Sequence, residues 1–258
     1  MTLPPIFTPE YYAHWRDFEA GHWWTAGMRD VASQLFELAQ LPPRGTLLDV
    51  GCGSGQGMRW FAAGHPAWRC VGIDLGHEGL VAAQRAGYPL LIRGTATELP
   101  LPEGSADAIT TLDVLQHLPL DGGDRRALVE MRRVLRPGGY LLLRTNVQAF
   151  PRVPDDPAAV WHKYDPEELR EKLTDAGFRI VRLSRINALL GLAEIPRELV
   201  GRRAGANHTS YEVVHRPVPA QRAWASTIKR TWLRWEGLAV RAGVRLPTGR
   251  SLVALCRA

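Results

Sequence analysis

The chain has 258 residues, 45% of them hydrophobic and 22% charged, which excludes a disordered or fibrous polymer and allows one large domain with a full core. No apolar run reaches about 18 residues, so no membrane-spanning helix is expected; the opening MTLPPIFTPEYYAHW is not a secretory signal, and three cysteines without a CxxC pair give neither a disulfide framework nor a zinc site, which points to a reducing cytoplasm. The net charge of +6 is uneven: from Arg197 onward twelve Lys/Arg stand against three Glu, a basic third that is either a solvated face or a meeting point for nucleic acid, an anionic membrane surface or an acidic substrate.

Residues 1–40 are expected to be mostly helical, with Val31, Leu35, Leu38 and Leu41 near a 3.6-residue period until LPPRG breaks it. Short β-rich strands then alternate with helices: TLLDV, GMRWFAAGHP, RCVGIDL, EGLVAAQRAG, PLLIRG, DAITTLDV, DRRALVEMRRVL, GYLLLRTNV, PEELREKLTDAG and FRIVRLSRI. That order predicts a parallel sheet covered by helices on both faces. After Asn187 the alternation stops. AWASTIKRTWLRWEGLAVRA reads as a helix with Trp224, Ile228, Trp232, Trp235, Leu238, Ala239 and Ala242 on one face, and Arg222, Lys229, Arg230, Arg234 and Arg241 on the other. Its apolar face is open to three uses: packing on the core, walling an apolar substrate, or lying on a membrane surface. RSLVALCRA reads as a final strand. The expected organisation is an N-terminal helical lid (1–40), a core (41–187 and 248–258) and a helical insertion capping the substrate (188–247).

The loop after the first strand is LLDVGCGSGQG, Leu47–Gly57. A dinucleotide site needs G-x-G-x-x-G, but the sixth position is Gln56 or Met58 depending on the frame. A triphosphate loop needs Gly-Lys, and none follows. Instead Asp49 precedes the first glycine and Asp74 ends the second strand, where an acid can hold both ribose hydroxyls. A carboxylate at Asp49 suits a cationic ligand better than a pyrophosphate. Cys52, within the loop, reads as a small residue in a tight turn.

These residues carry a resemblance. LLDVGCGSG, VGIDLG, GTATELPLPEGSADAI, DVLQHL and RRVLRPGGYLLL fall in order over roughly residues 45–145, and the chain resembles a class I S-adenosylmethionine-dependent methyltransferase; FEAGHWW and LPTGRSLVAL are similar to a subgroup acting on small molecules. The resemblance implies an α/β, Rossmann-like, seven-stranded and mostly parallel sheet in the order 3-2-1-4-5-7-6, with the last strand antiparallel and a helical insertion before it. It implies S-adenosyl-L-methionine as cofactor, with Gly51 and Gly53 under its methionine and ribose, Asp74 on the ribose and Leu75 against the adenine. Thr95, where the family has an acid, and Ala96 would serve the adenine ring, and the backbone of Leu112 would face the amine.

Direct methyl displacement leaves the protein to align reactants and, for a hydroxyl or protonated amine, to remove a proton. His117, after the fourth strand, and His162, after the fifth, are the candidate bases. Trp23 and Trp24 offer aromatic faces to substrate or sulfonium, Tyr164 beside His162 is a third candidate substrate contact, and Arg29 is a candidate grip for the cofactor carboxylate. No metal is expected. The expected acceptor is a small molecule, methylated on O, N or C. Nucleic acid is disfavoured because DVLQHL lacks an amine-methylating Pro-Pro-Tyr motif, and a non-catalytic cofactor-binding protein is the remaining alternative.

Overall fold

The structure, a computed structural model, describes residues 22–119, 121–147, 162–189 and 223–258; the expectations for residues 1–21 and 190–222 lie outside them. The elements are α1 (Trp23–Phe36), β1 (Thr46–Val50), α2 (Gln56–Gly64), β2 (Arg69–Asp74), α3 (His77–Arg85), β3 (Leu91–Arg93), β4 (Ala106–Leu112), α4 (Gly123–Val134), β5 (Leu135–Asn146), α5 (Pro166–Asp175), β6 (Arg179–Ile186), α6 (Ala223–Arg241) and β7 (Ser251–Arg257). A single 3-10 turn, Leu115–His117, follows β4.

The seven strands form one sheet in the order β3-β2-β1-β4-β5-β7-β6. All pairs are parallel except those of β7, which runs antiparallel to both neighbours. Both faces are covered, which is why the strands read as nearly unbroken apolar runs. On one face Leu48, Ile109, Leu141 and Leu143 meet Ala127, Leu128 and Met131 of α4 and Leu169 and Leu173 of α5. On the other Leu47, Ala108, Leu142 and Leu255 meet Val31 and Leu35 of α1, Phe61 of α2, and Leu233 and Val240 of α6. Asn146 and Ile186 both pair with Ser251, so β5 and β6 end at the same edge of the sheet. That edge carries the carboxyl ends of all the parallel strands, where ligands of such sheets bind.

α6 crosses α1 closely because Gly237 has no side chain: a Cβ there would lie 3.2 Å from Val31 Cα. The buried side of α6 is Leu233, Glu236, Gly237 and Val240. Of the three uses left open for its tryptophan face, this excludes packing on the core. The stripe faces solvent, with Trp224 62%, Ile228 58%, Trp232 46% and Trp235 65% exposed. The charges expected to be solvated are partly used inward. Lys229 Nζ stands 5.0 Å from the centre of the Trp23 ring, Arg230 pairs with Asp30 at 2.8 Å, and Arg241 pairs with Glu37. A carboxylate is tolerated in the buried face because it is fully used. Glu236 accepts the backbone N–H groups of Asn187, Ala188 and Leu189 and the indole N–H of Trp232.

Candidate active site

The glycine loop turns sharply at the end of β1. Gly51 sits at φ +77°, in the left-handed region, and a Cβ there would collide with Val114; only glycine meets both demands. Two buried acids organise the loop. Asp74 accepts the Gly53 N–H at 2.8 Å on one carboxylate oxygen and the Gly76 N–H at 2.7 Å on the other, so it ties the loop to the end of β2. Asp49 accepts the Thr110 hydroxyl at 2.7 Å. Burial pushes its carboxyl up to about 6, and the nearby charge of Asp74 adds to that, while bonds from Thr110 and the Met58 backbone pull the other way. Two acids facing one loop, with no Lys or Arg between Leu47 and Met58, select for a cation and against a phosphate.

Around this loop, Leu75 is solvent-exposed at the end of β2, while Ala96 is buried. The Thr95 hydroxyl accepts from the Thr97 N–H at 3.2 Å and shares a hydrogen bond with the Thr97 hydroxyl at 2.9 Å, so it is already engaged locally. Leu112 ends β4 opposite Arg144. Arg29 lies half-buried on α1. Cys52 is buried and its thiol is pushed up by burial, which keeps it protonated. A cavity of about 450 Å³ lined by Phe36, Leu41, His65 and Trp68 lies at the amino ends of β1 and β2, away from this chemistry.

A second cluster forms where β4 and β5 end. Asp113 adopts φ +60°, a conformation that costs a non-glycine residue about 1–2 kcal/mol. It is held there by its N–H bond to the Arg144 carbonyl at 2.9 Å and by the Arg144 guanidinium, which grips both carboxylate oxygens. The same guanidinium lies 4.8 Å from the Trp24 ring centre. The following turn is pinned by Thr145, whose hydroxyl donates to Gln116 at 2.9 Å. His162 joins it through its backbone N–H, 3.0 Å from the Gln116 carbonyl, so both candidate bases stand at one rim.

Their environments differ. Burial lowers the His117 imidazole to about 4, against a smaller opposing effect of Asp113. His162 Nε2 lies 2.8 Å from Glu168 Oε1. Glu168 comes from the capping box at the start of α5, where its other oxygen faces the Asp165 N–H. Burial opposes its ionisation, but bonds from Lys172 and His162 prevail and hold it below the usual carboxylate range. Lys172 also bonds Asp124, and Asp124 accepts the Tyr164 hydroxyl at 3.0 Å.

Two expectations are corrected by burial. Tyr164 is fully buried with its hydroxyl bonded to Leu115 and Asp124, so it braces the rim and meets no substrate. Trp23 is buried in the α1–α6 core, which leaves Trp24 as the aromatic at the rim. Sequence reasoning missed Asp113, Arg144, Glu168 and Glu236. Only Glu168 left a signal: the capping pattern Asp165-Pro-Glu-Glu168 turns that carboxylate back towards the preceding residues.

Comparison with known proteins identifies the family. A methyltransferase domain family matches residues 48–143. A protein of Encephalitozoon cuniculi named as a methyltransferase is 34% identical over 155 residues, 52% of this chain and 70% of that one. A Mycolicibacterium smegmatis protein named as an S-adenosylmethionine-dependent methyltransferase is 38% identical over 58% of each chain; the chain thus spans little more than half the length of that relative. The solved S-adenosylmethionine-dependent methyltransferase of Mesorhizobium loti shares the fold, with a TM-score of 0.57, 19% identity, and coverage of 90% of this chain and 98% of its own. The chain belongs to the class I S-adenosylmethionine-dependent methyltransferases, and its cofactor is S-adenosyl-L-methionine. The chemistry of the site is compatible with that group: two buried acids, Asp49 and Asp74, stand at the glycine loop, and the exposed apolar side chain of Leu75 follows β2.

Proposed function

We propose that the chain methylates O, N or C of a small-molecule acceptor, with His162 as the general base. The His162–Glu168 pair at the rim carries this reading. Glu168 fixes the imidazole and compensates the charge it acquires on taking a proton, as an acid behind a catalytic histidine does. His117, lowered to about 4, is neutral at pH 7 but a weak base, so it orients the acceptor. Asp74, Gly51 and Gly53 hold the ribose and methionine parts of the cofactor, with Asp49 near its positive charge, Leu75, Thr95 and Ala96 around the adenine, the Leu112 backbone at the amine and Arg29 at the carboxylate. When bound, S-adenosylmethionine supplies an electrophilic methyl carbon and a neutral leaving group. The Arg144–Asp113 pair and Trp24 shape the acceptor side. The rim guanidinium is neutralised by Asp113, which suits a compact acceptor better than a polyanion needing several unpaired cations.

Purified protein is incubated with methyl-labelled cofactor and either a panel of phenols, carboxylic acids and amines or bulk RNA and DNA. Label on a small acceptor is expected; label only on nucleic acid overturns the acceptor class, and no label anywhere despite cofactor binding favours a non-catalytic binder. With a hydroxyl or amine acceptor, His162→Asn is expected to lower kcat by about 10²-fold or more, with Glu168→Gln lowering it less and moving the pH profile. Full turnover in His162→Asn removes it as the base.

A further inference from the structure

The exposed face of α6 points to a use outside methyl transfer. Trp224, Ile228, Trp232 and Trp235 form a continuous apolar stripe in solvent, with the spacing of one helix face. Trp232 is fixed in place by its indole bond to Glu236 at 2.6 Å, so the stripe is preformed in part. Its surroundings are basic. α6 carries Lys229, Arg230, Arg234 and Arg241, and its one acid, Glu236, is buried. Asp30 and Glu37 are spent on Arg230 and Arg241. The margin of the stripe therefore offers cations and no exposed acid from its own helix.

Position adds a direction. α6 runs parallel to α1, since Lys229 meets Trp23 at their starts and Arg241 meets Glu37 at their ends. The start of α1 lies at the mouth of the sheet, where Trp24 covers Arg144. At about 1.5 Å per residue, Trp224 stands about 7 Å beyond Lys229, so the stripe projects past the carboxyl edge of the sheet beside the candidate active site.

We propose that this face docks the protein on an anionic lipid surface, with the indoles and Ile228 entering the headgroup boundary and the exposed Arg234 at its margin meeting lipid phosphates. A nucleic acid would require cations on the presented face itself, where this helix places indoles. Docking on that side turns the mouth of the site towards the membrane. It does not depend on the chemistry proposed above, and its test uses no turnover.

The full chain is floated with vesicles of phosphatidylcholine alone and of phosphatidylcholine with about one third phosphatidylglycerol, at low and high salt. Co-flotation with the anionic vesicles, weakened by salt, is expected. Trp224→Ser/Trp235→Ser should reduce retention at least about tenfold while keeping the melting temperature, because both side chains are exposed; Ile228→Asp should act alike. Four results overturn the proposal: no flotation of the wild-type chain, equal flotation with neutral vesicles, undiminished flotation of the double variant, or a wild-type dimer that the double variant converts to monomer, which would assign the stripe to a second copy.

Discussion

The two halves of the site are built differently. On the cofactor side, Gly51, Gly53 and Asp74 act within one strand–turn–helix–strand unit, where Asp74 takes the amides of Gly53 and Gly76, and Asp49 alone reaches outside it, to Thr110 on β4. On the acceptor side, most contacts join distant segments: Trp24 to Arg144, Arg144 to Asp113, Thr145 to Gln116 and Glu236 to Asn187, with the His162–Glu168 pair the local exception. A short-range device can be kept while the rest of the chain changes. A long-range one can be rebuilt by a few substitutions, which is where acceptor specificity within one fold can diverge.

Removing one group from each side sharpens the contrast. The largest effect is expected at Glu236. Glu236→Ala strands the amides of Asn187, Ala188 and Leu189 and the Trp232 indole, and each buried donor left without an acceptor costs about 1–3 kcal/mol. Denaturant unfolding should show that loss, with Glu236→Gln recovering part of it, and cofactor affinity in the folded fraction should be nearly unchanged. Asp74→Ala should do the reverse. Affinity for S-adenosylmethionine by calorimetry is expected to fall by about 1.5–3 kcal/mol as charge-assisted bonds to the loop and ligand disappear, with a smaller loss of fold stability. If the two variants gave the same pattern, the halves would be one cooperative unit.

The same contrast explains what was legible in the sequence. The strands, the helices between them and the glycine loop follow from apolar runs, turn residues and local spacing, all short-range signals, whereas the sheet order and the antiparallel last strand came with the family resemblance. Period alone could not say which side of α6 is buried, because the helix has two apolar sides. The side with Leu233, Gly237 and Val240 wins by allowing close approach to α1, and Glu236 joins it only because three amides from the end of β6 are waiting. Nor does any local pattern announce that Asp113 adopts a left-handed backbone, since the cause is Arg144 on the next strand. Trp23 and Trp24 are neighbours of one residue type, and helix phase alone sends one to the core and the other to the rim.

The smallest predicted effect concerns pH and separates the halves without mutation. Asp49 has its carboxyl raised from 3.8 to about 6 by burial. Between those values the folded state holds a proton that the unfolded chain has lost, so the Asp49 contribution to stability falls as pH rises through the window. His117 acts oppositely there: its imidazole is lowered from 6.5 to about 4, so its contribution falls as the pH drops. The free protein's stability is therefore a poor readout of either group. Cofactor binding is a better one, because a cation favours the ionised Asp49. Affinity is expected to weaken by about tenfold from pH 7 to pH 5, with a proton released on binding at the lower pH. Asp49→Asn should flatten that dependence, whereas His117→Asn should leave it in place. A slope that survives Asp49→Asn would move the titrating group from the loop to the rim and erase the division drawn between them.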